Sequence, residues 1–454
     1  MAPAEPPVAR SRLLAYALPG FVFAMPTLPV AISLPTMYSA ELGLAAAGLA
    51  LLIARAFDVV TDPAVGALSD RWQPRWGRRK PWIVAGALVG GVSLIQLFQP
   101  PPGVSFAYVT VWSLLLYVGW TMVSIPYNAW GAEMSTDYHQ RTRITSAREG
   151  AMLLGILLAS ALPAAAVGLG MTEREALALL SWLAVILGGP FVAWMLIKVP
   201  DPLPREAAPS RAEFSWTRLK AEALIVVENH PFRRLIGAWF INGLANGIPS
   251  ALFLLFLDHR LQAGPGQRGA LILMYFLCAV VAIPAWLALS KRHGKHRVWC
   301  WAMMMACAAF AWVPLLAPGD IWLFALVCAV TGFALGADLA LPPALQADVV
   351  DLDVARTGRN RAGLFFALWG MATKLALAGA IGIAFPALAF FGFDTDGGGT
   401  PRGLFALAVI YSLVPVVLKV VAIALVWNFR KSMEGQGSLR RDVGGGITTE
   451  RLAP

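Results

Sequence analysis

A chain of 454 residues that is 58% hydrophobic and only 14% charged is too apolar for a soluble domain, in which about a quarter of residues are charged. The net charge of +10 does not indicate a nucleic-acid partner, because the basic residues sit in short loops between apolar runs, the placement that sets topology in a bilayer. The composition therefore excludes a soluble enzyme or nucleic-acid binder and points to an all-α membrane protein with the lipid bilayer as its surroundings.

In chain order the apolar runs give twelve spans, near 13–36, 44–69, 81–99, 104–133, 146–169, 176–198, 233–257, 268–290, 298–317, 320–348, 362–391 and 402–428. Before the first, "MAPAEPPVARSRLLAYALPG" lacks an early apolar core with a small-residue cleavage site, so no removable signal peptide is read. The sixth and seventh spans are separated by the longest polar segment, rich in Pro and charge, in which 211–229 has the pattern of a surface amphipathic helix. The expected organisation is a six-helix half over 1–198, a cytoplasmic linker over 199–232, a second six-helix half over 233–428 and a cytoplasmic tail over 429–454. Of the 36 Lys and Arg, only Arg174, Arg260, Arg268 and Arg402 fall on one side. Arg55, Lys374 and Lys419 lie inside spans, and all the rest fall on the side of the termini. That bias places both termini in the cytoplasm and the protein in the cytoplasmic (inner) membrane.

The second span closes on "PAVGALSDR" (63–71) and the eighth on "PAWLALSKR" (284–292). Each runs into a basic glycine turn, "WGRRKPW" or "HGKHRVW". The same motif six spans apart and in the same orientation marks two parallel repeats.

Charges inside the spans carry the functional reading. In the second span Arg55, Asp58 and Asp62 recur at i, i+3 and i+7, which puts them on one helical face. Lipid cannot solvate that face, so it points into the bundle or a watery cavity. Two carboxylates one turn apart repel unless a bound cation or a shared proton relieves them. Arg55, one turn away, is expected to hold part of the negative charge, so Arg55, Asp58 and Asp62 together read as a cation-coupling site. Arg55 and Asp58 as a purely structural ion pair would leave Asp62 unpaired. Asp338 in the tenth span and Lys374 in the eleventh are read as a pair across the cavity floor. Lys419 in the twelfth is read as snorkelling or capping, with no role in the site. Softer polar positions are Trp120, Ser124, Tyr127 and Asn128 in the fourth span, and Asn242 and Asn246 one turn apart in the seventh. Interhelical hydrogen bonding and contact with a solute both fit them. The four cysteines lie in apolar spans without ligand spacing and read as small buried hydrophobes. The five histidines sit in loops or at span ends, so no metal or nucleophile constellation is expected. An enzyme is not expected, nor is any cofactor or structural metal.

Four stretches, "RAFDVVTDPAVGALSDRWQPRWGRRKPWI", "IPYNAWGAEMSTDYHQRTRITSAREG", "LPPALQADVVDLDVARTGRNRAG" and "ATK", give the chain its resemblance to the major facilitator superfamily. Within it the chain resembles the glycoside–pentoside–hexuronide:cation symporters. The resemblance implies the major facilitator fold of two pseudo-symmetric six-helix halves. It also implies coupling-cation binding at Asp58 and Asp62, with Lys374 beside the cation and solute sites and Arg148 as the fifth-span arginine. The chain departs from the family where the first span has no carboxylate at depth. Ser124 stands where the family has an acidic residue, and Asn128 where it has a tryptophan. Those losses argue against a melibiose-like galactoside and favour a proton over sodium, with sodium at Asp58 and Asp62 as the alternative. Asp338 is positioned to replace a lost carboxylate.

The expected function is cation-coupled symport of a sugar, glycoside or related small organic solute by alternating access. An amphipathic, lysolipid-like solute is the alternative, and a non-transporting membrane sensor the least favoured reading. The protein is read as a monomer with no nucleic-acid partner. Basic residues at the cytoplasmic end of each half, with Asp70, Arg71, Arg78 and Arg79 in one and Lys291 and Arg292 in the other, are expected to form a conformational gate between the halves.

Overall fold

The computed structural model describes residues 8–71, 77–135, 138–200, 229–357, 362–394 and 400–429, without the side chains at positions 59, 60, 63, 67, 70, 71, 132, 138, 139, 141, 142, 362 and 363. The expected linker helix, most of the tail, and the side chains of Asp70 and Arg71 lie outside the described residues. All regular structure among the described residues is helical: α1 (Arg10–Ala24), α2 (Leu34–Leu42), α3 (Leu44–Arg71), α4 (Lys80–Phe98), α5 (Phe106–Glu133), α6 (Tyr138–Gly168), α7 (Glu173–Lys198), α8 (His230–Leu255), α9 (Pro265–His293), α10 (Lys295–Ala311), α11 (Ile321–Thr357), α12 (Ala362–Phe390) and α13 (Pro401–Val426).

Eleven stretches among the described residues are long and apolar enough to cross a membrane. Running among them is the charged helix α3, 28 residues long, or roughly 42 Å at 1.5 Å per residue. α1 and α2 form a single crossing, interrupted by a π turn at Pro29–Ser33. Pro26 and Pro29 offer no backbone N–H to the helical ladder, so the ladder slips there. α11 runs to Thr357, well past the expected span end near 348, because polarity stops the hydropathy signal there and does not stop the helix. Its last turns still bury Val349, Val350 and Asp353.

The packing repeats. α1 packs on α6 and α7, α3 on α5, and α4 on α5 and α7. Six crossings later α8 packs on α12 and α13, α9 on α11, and α10 on α11 and α13. Between the two sets, α3 meets α12 and α6 meets α9; a six-crossing shift exchanges these two contacts. The repeated turn matches in geometry as well. Gly77 and Gly294 hold φ of 105° and 87°, a conformation that side chains with a Cβ rarely adopt. A basic residue after each glycine reaches back to an acid near the end of a partner helix. Arg79 lies 2.8 Å from Glu133, and Lys295 lies 2.7 Å from Asp348.

Two glycines set how closely helices approach. A Cβ at Gly155 of α6 would stand 2.0 Å from the carbonyl oxygen of Phe21 in α1. A Cβ at Gly332 of α11 would stand 2.3 Å from that of Tyr275 in α9. Tyr16 and Tyr127 fasten α1 to α5 reciprocally, each hydroxyl donating to the other's carbonyl oxygen, at 2.9 and 2.5 Å.

At the end of the bundle away from the termini the two sets of helices close on each other. Gly48 lies against Phe385, and Gly382 against Leu52. Arg268 at the start of α9 reaches Glu173 at the start of α7 at 3.0 Å and also pairs with Asp258.

Candidate functional site

The carboxylates of α3 meet a charge brought by α12. Lys374 Nζ lies 2.8 Å from Asp58 Oδ2 and 2.6 Å from Asp62 Oδ2. Thr121 of α5 stands on the other side, its hydroxyl 2.7 Å from Asp58 Oδ1 and 2.9 Å from Asp62 Oδ1. Asp58 is buried, whereas Asp62 and Lys374 are partly open. Arg55 holds its guanidinium 5.5 Å from the centre of the Tyr117 ring, a cation–π contact, and its Nε is buried without a hydrogen-bond partner.

This arrangement corrects one expected pairing. Lys374 does not pair with Asp338; it bridges the two second-span carboxylates. Asp338 lies deep among α8, α10 and α13. It accepts from Trp299 Nε1 at 2.5 Å and from Asn246 Nδ2 at 2.8 Å, and Lys419 Nζ stands 3.8 Å away. Lys419 is 3% exposed, so it does not snorkel. It donates to Asn242 Oδ1 at 2.7 Å.

The charge and proton count at the α3 cluster constrains its chemistry. Two carboxylates and one ammonium leave one surplus negative charge in a site that water reaches only in part. Thr121 has one hydroxyl proton and stands at hydrogen-bonding distance from both acids, so it can donate to only one. With both acids ionised, the other contact sets oxygen against oxygen. A proton on either carboxyl turns that contact into a second hydrogen bond, with Thr121 Oγ1 accepting. A bound monovalent cation would find three oxygens, Asp58 Oδ1, Asp62 Oδ1 and Thr121 Oγ1, and would remove the surplus charge.

Trp120, Ser124, Tyr127 and Asn128 line a half-open cavity of about 570 Å³ between α1, α4, α5 and α7, with Met152 of α6 also in its wall. Its wall is largely apolar, with Gly90, Gly91, Gly188 and Gly189 among the lining residues. At its polar edge Arg148 donates to Asn128 Oδ1 and pairs with Glu149 at 2.5 Å. Asn246 lines a second cavity of about 200 Å³.

Of the expected gate residues, Asp70 and Arg71 have side chains outside the described residues, and the described contacts of Arg78 and Arg79 lie within their own half. Arg78 and Arg79 close on Glu133 of the neighbouring helix α5, at 2.5 and 2.8 Å. Arg79 also donates to Ser69 at 3.1 Å. Burial pushes the Glu133 carboxyl up, but the hydrogen bonds and charges of Arg79 and Arg78 outweigh it and hold the group below the usual carboxylate range. Lys291 and Arg292 are exposed. Sequence reasoning missed Thr121, Trp299 and the engagement of Lys419. Thr121 did leave a signal, since it follows Tyr117 by four residues and precedes Asn128 by seven, on one face of α5.

A family model described as MFS/sugar transport protein matches residues 15–431. The glucuronide carrier protein homolog of Escherichia coli is 26% identical over 406 residues, covering 86% of this chain and 85% of that protein. The sodium-dependent lysophosphatidylcholine symporter 1 of Homo sapiens is 26% identical over 430 residues, covering 85% and 76%. A crystal structure of a mutant of the nucleoside transporter NupG superposes with a TM-score of 0.69 at 14% identity, over 92% of this chain and 100% of that one. At that identity the likeness concerns the fold, and the fold is that of major facilitator transporters. The match to the family model spans nearly every helix described above, and the chain belongs to the MFS/sugar transport family.

Proposed function

We propose that the protein is a multi-pass carrier of the cytoplasmic membrane, with both termini cytoplasmic, that symports a small organic solute with a cation by alternating access. The observation that carries this reading is the cluster of Asp58, Asp62, Thr121 and Lys374. Its anions stand on α3 and its cation on α12, so the ion pair joins helices from the two repeats. A proton or cation on the carboxylates weakens the hold of Lys374 and loosens the contact between the halves. Cation loading thereby biases the switch between the two states, which is what coupling requires. Asn128, Trp120, Ser124 and Tyr127, with Arg148 bonded to Asn128, would meet the solute at the larger cavity, and Asn246 at the smaller, separate one. Asn242 and Asp338 stand behind Asn246.

A proton is the favoured coupling ion, because a single proton resolves the contacts of Thr121 and Asp62 is open enough to receive it. Sodium is the alternative, and the sodium-dependent relative supports it. Two solute classes are in view. The glucuronide carrier homolog and the family model support a hydroxylated solute such as a sugar or glycoside. The apolar wall of the 570 Å³ cavity favours an amphipathic solute, as does the lysophosphatidylcholine symporter among the relatives.

Ligand-dependent thermal unfolding of the purified protein tests the reading. A ligand that binds only the folded state raises stability by about 2.7 kcal/mol at one hundred times its Kd. A solute whose stabilisation grows as pH falls, or as sodium is added, is the expected hit. Solute binding that ignores both pH and sodium contradicts cation coupling.

A further inference from the structure

The seventh-crossing helix α8 carries Asn242 and Asn246 one turn apart, and opposite charges hold the two amides in opposite senses. Lys419 can only donate, so Asn242 turns its carbonyl oxygen to it at 2.7 Å. That leaves Asn242 Nδ2 fully buried with no partner. Asp338 receives the indole N–H of Trp299 on Oδ1 and lies near the Lys419 ammonium, and as a carboxylate it can only accept. Asn246 must therefore turn its amide nitrogen to Asp338, which it does at 2.8 Å. The carbonyl oxygen of Asn246 then faces the other way, and among the described residues none donates to it.

Asn246, with that oxygen unengaged, lines a cavity of about 200 Å³. Thr331, in the same wall, gives its hydroxyl proton to the Val327 carbonyl oxygen at 2.7 Å, so it too presents lone pairs. Ile32 and Leu377 also line the space. Ile32 comes from the first crossing, so residues of both halves line the cavity, and Leu377 lies about one helical turn along α12 from Lys374. A buried ion pair is weak evidence for stability. Here its effect is to fix the polarity of a side chain at the cavity.

We propose that Asn246 is a specificity-determining residue that accepts a hydrogen bond from a hydroxyl of a hydroxylated solute, and that the Asp338–Lys419 pair is the device that holds its amide in that sense. The inference rests on the transport reading and narrows its solute class. A site built this way admits a hydroxyl and rejects a group of the same size that cannot donate.

The test uses purified full-length protein and apparent Kd values from thermal shifts. The probes are methyl β-D-glucuronide, methyl β-D-glucoside and methyl α-D-galactoside, each beside its monodeoxyfluoro analogues, with lysophosphatidylcholine as the contrasting ligand. Fluorine cannot donate, so for at least one glycoside a single position should cost the wild type roughly tenfold in affinity. In Asn246→Leu that penalty should fall to about twofold or less, with the parent glycoside weakened to the level of its analogue. In the charge-neutral double variant Asp338→Asn with Lys419→Met the amide is free to turn, and the penalty should shrink at the same position. A structural role alone would lower stability or weaken all analogues together and leave the ratio unchanged, and an unchanged ratio in Asn246→Leu overturns the proposal even if the double variant does not fold. Stabilisation by lysophosphatidylcholine and by no glycoside also overturns it, while leaving a cation-coupled carrier intact. Failure of proteoliposomes to exchange any of these solutes removes the transport reading and this inference with it.

Discussion

Lys374→Ala is expected to abolish cation-driven accumulation and to lower the unfolding midpoint of the purified protein. The ammonium answers two carboxylates at 2.8 and 2.6 Å, and without it they stand one turn apart around one threonine. Removing one partner of a fully buried pair costs about 3–5 kcal/mol. Lys374 is a quarter exposed, so about 2–3 kcal/mol is expected here after allowance for solvent screening. The reason for the loss can be isolated. Lys374→Ala leaves two uncompensated carboxylates; adding Asp62→Asn removes one of them and restores the wild-type net charge, so the double variant should be more stable than Lys374→Ala alone. Non-additivity of this kind is the signature of residues in direct contact. Equal stability of wild type, single and double variants in thermal unfolding would show that Lys374 does not neutralise the cluster.

Gly155→Ala is expected to have the largest effect on folding among single-methyl changes in the first repeat. The new carbon would overlap a backbone carbonyl oxygen at 2.0 Å, and neither helix axis can yield by rotating a side chain. Overpacking a tight interface costs about 1–3 kcal/mol and more where backbone must move. Gly150, one and a half turns earlier on the same helix, has nothing within 4 Å of its Cβ position. Gly150→Ala should be neutral or gain up to about 1 kcal/mol from helix propensity alone. Size-exclusion profiles and unfolding midpoints of the two variants provide the comparison. Equal behaviour would mean that α1 and α6 are not held at the observed separation.

Much of the fold was legible because a bilayer leaves few options. Apolar runs of span length must be helical, since backbone groups have no other partner in lipid. The repeat was legible because the basic glycine turn needs an unusual φ, and Gly77 and Gly294 mark it directly. Helix ends were less legible where a helix outruns its apolar stretch, as α11 does beyond Asp348. The carboxylates of the site could be found because Asp58 and Asp62 are expensive in a membrane and share a face. Their partners could not be found in the same way. Which cation answers which anion depends on how the crossings are arranged in cross-section, and that order leaves no local trace. Lys374 and Lys419 are both lone lysines in apolar helices. Only the packing of α12 on α3 and of α13 on α8 assigns one to the paired aspartates and the other to Asp338. Thr121 was passed over because a threonine in a membrane helix usually bonds its own backbone.

In the proposed cycle the α3 carboxylates couple a cation to solute movement. Asp62→Asn tests this most directly in proteoliposomes, by comparing gradient-driven accumulation of a labelled solute with its counterflow in the absence of a gradient. The substituted amide nearly matches the shape of the carboxylate but carries neither its charge nor its transferable proton. The expected result is loss of accumulation above equilibrium, by at least about tenfold, with counterflow retained. Full concentrative uptake by Asp62→Asn, driven by the same proton or sodium gradient as the wild type, would contradict coupling through the α3 carboxylates.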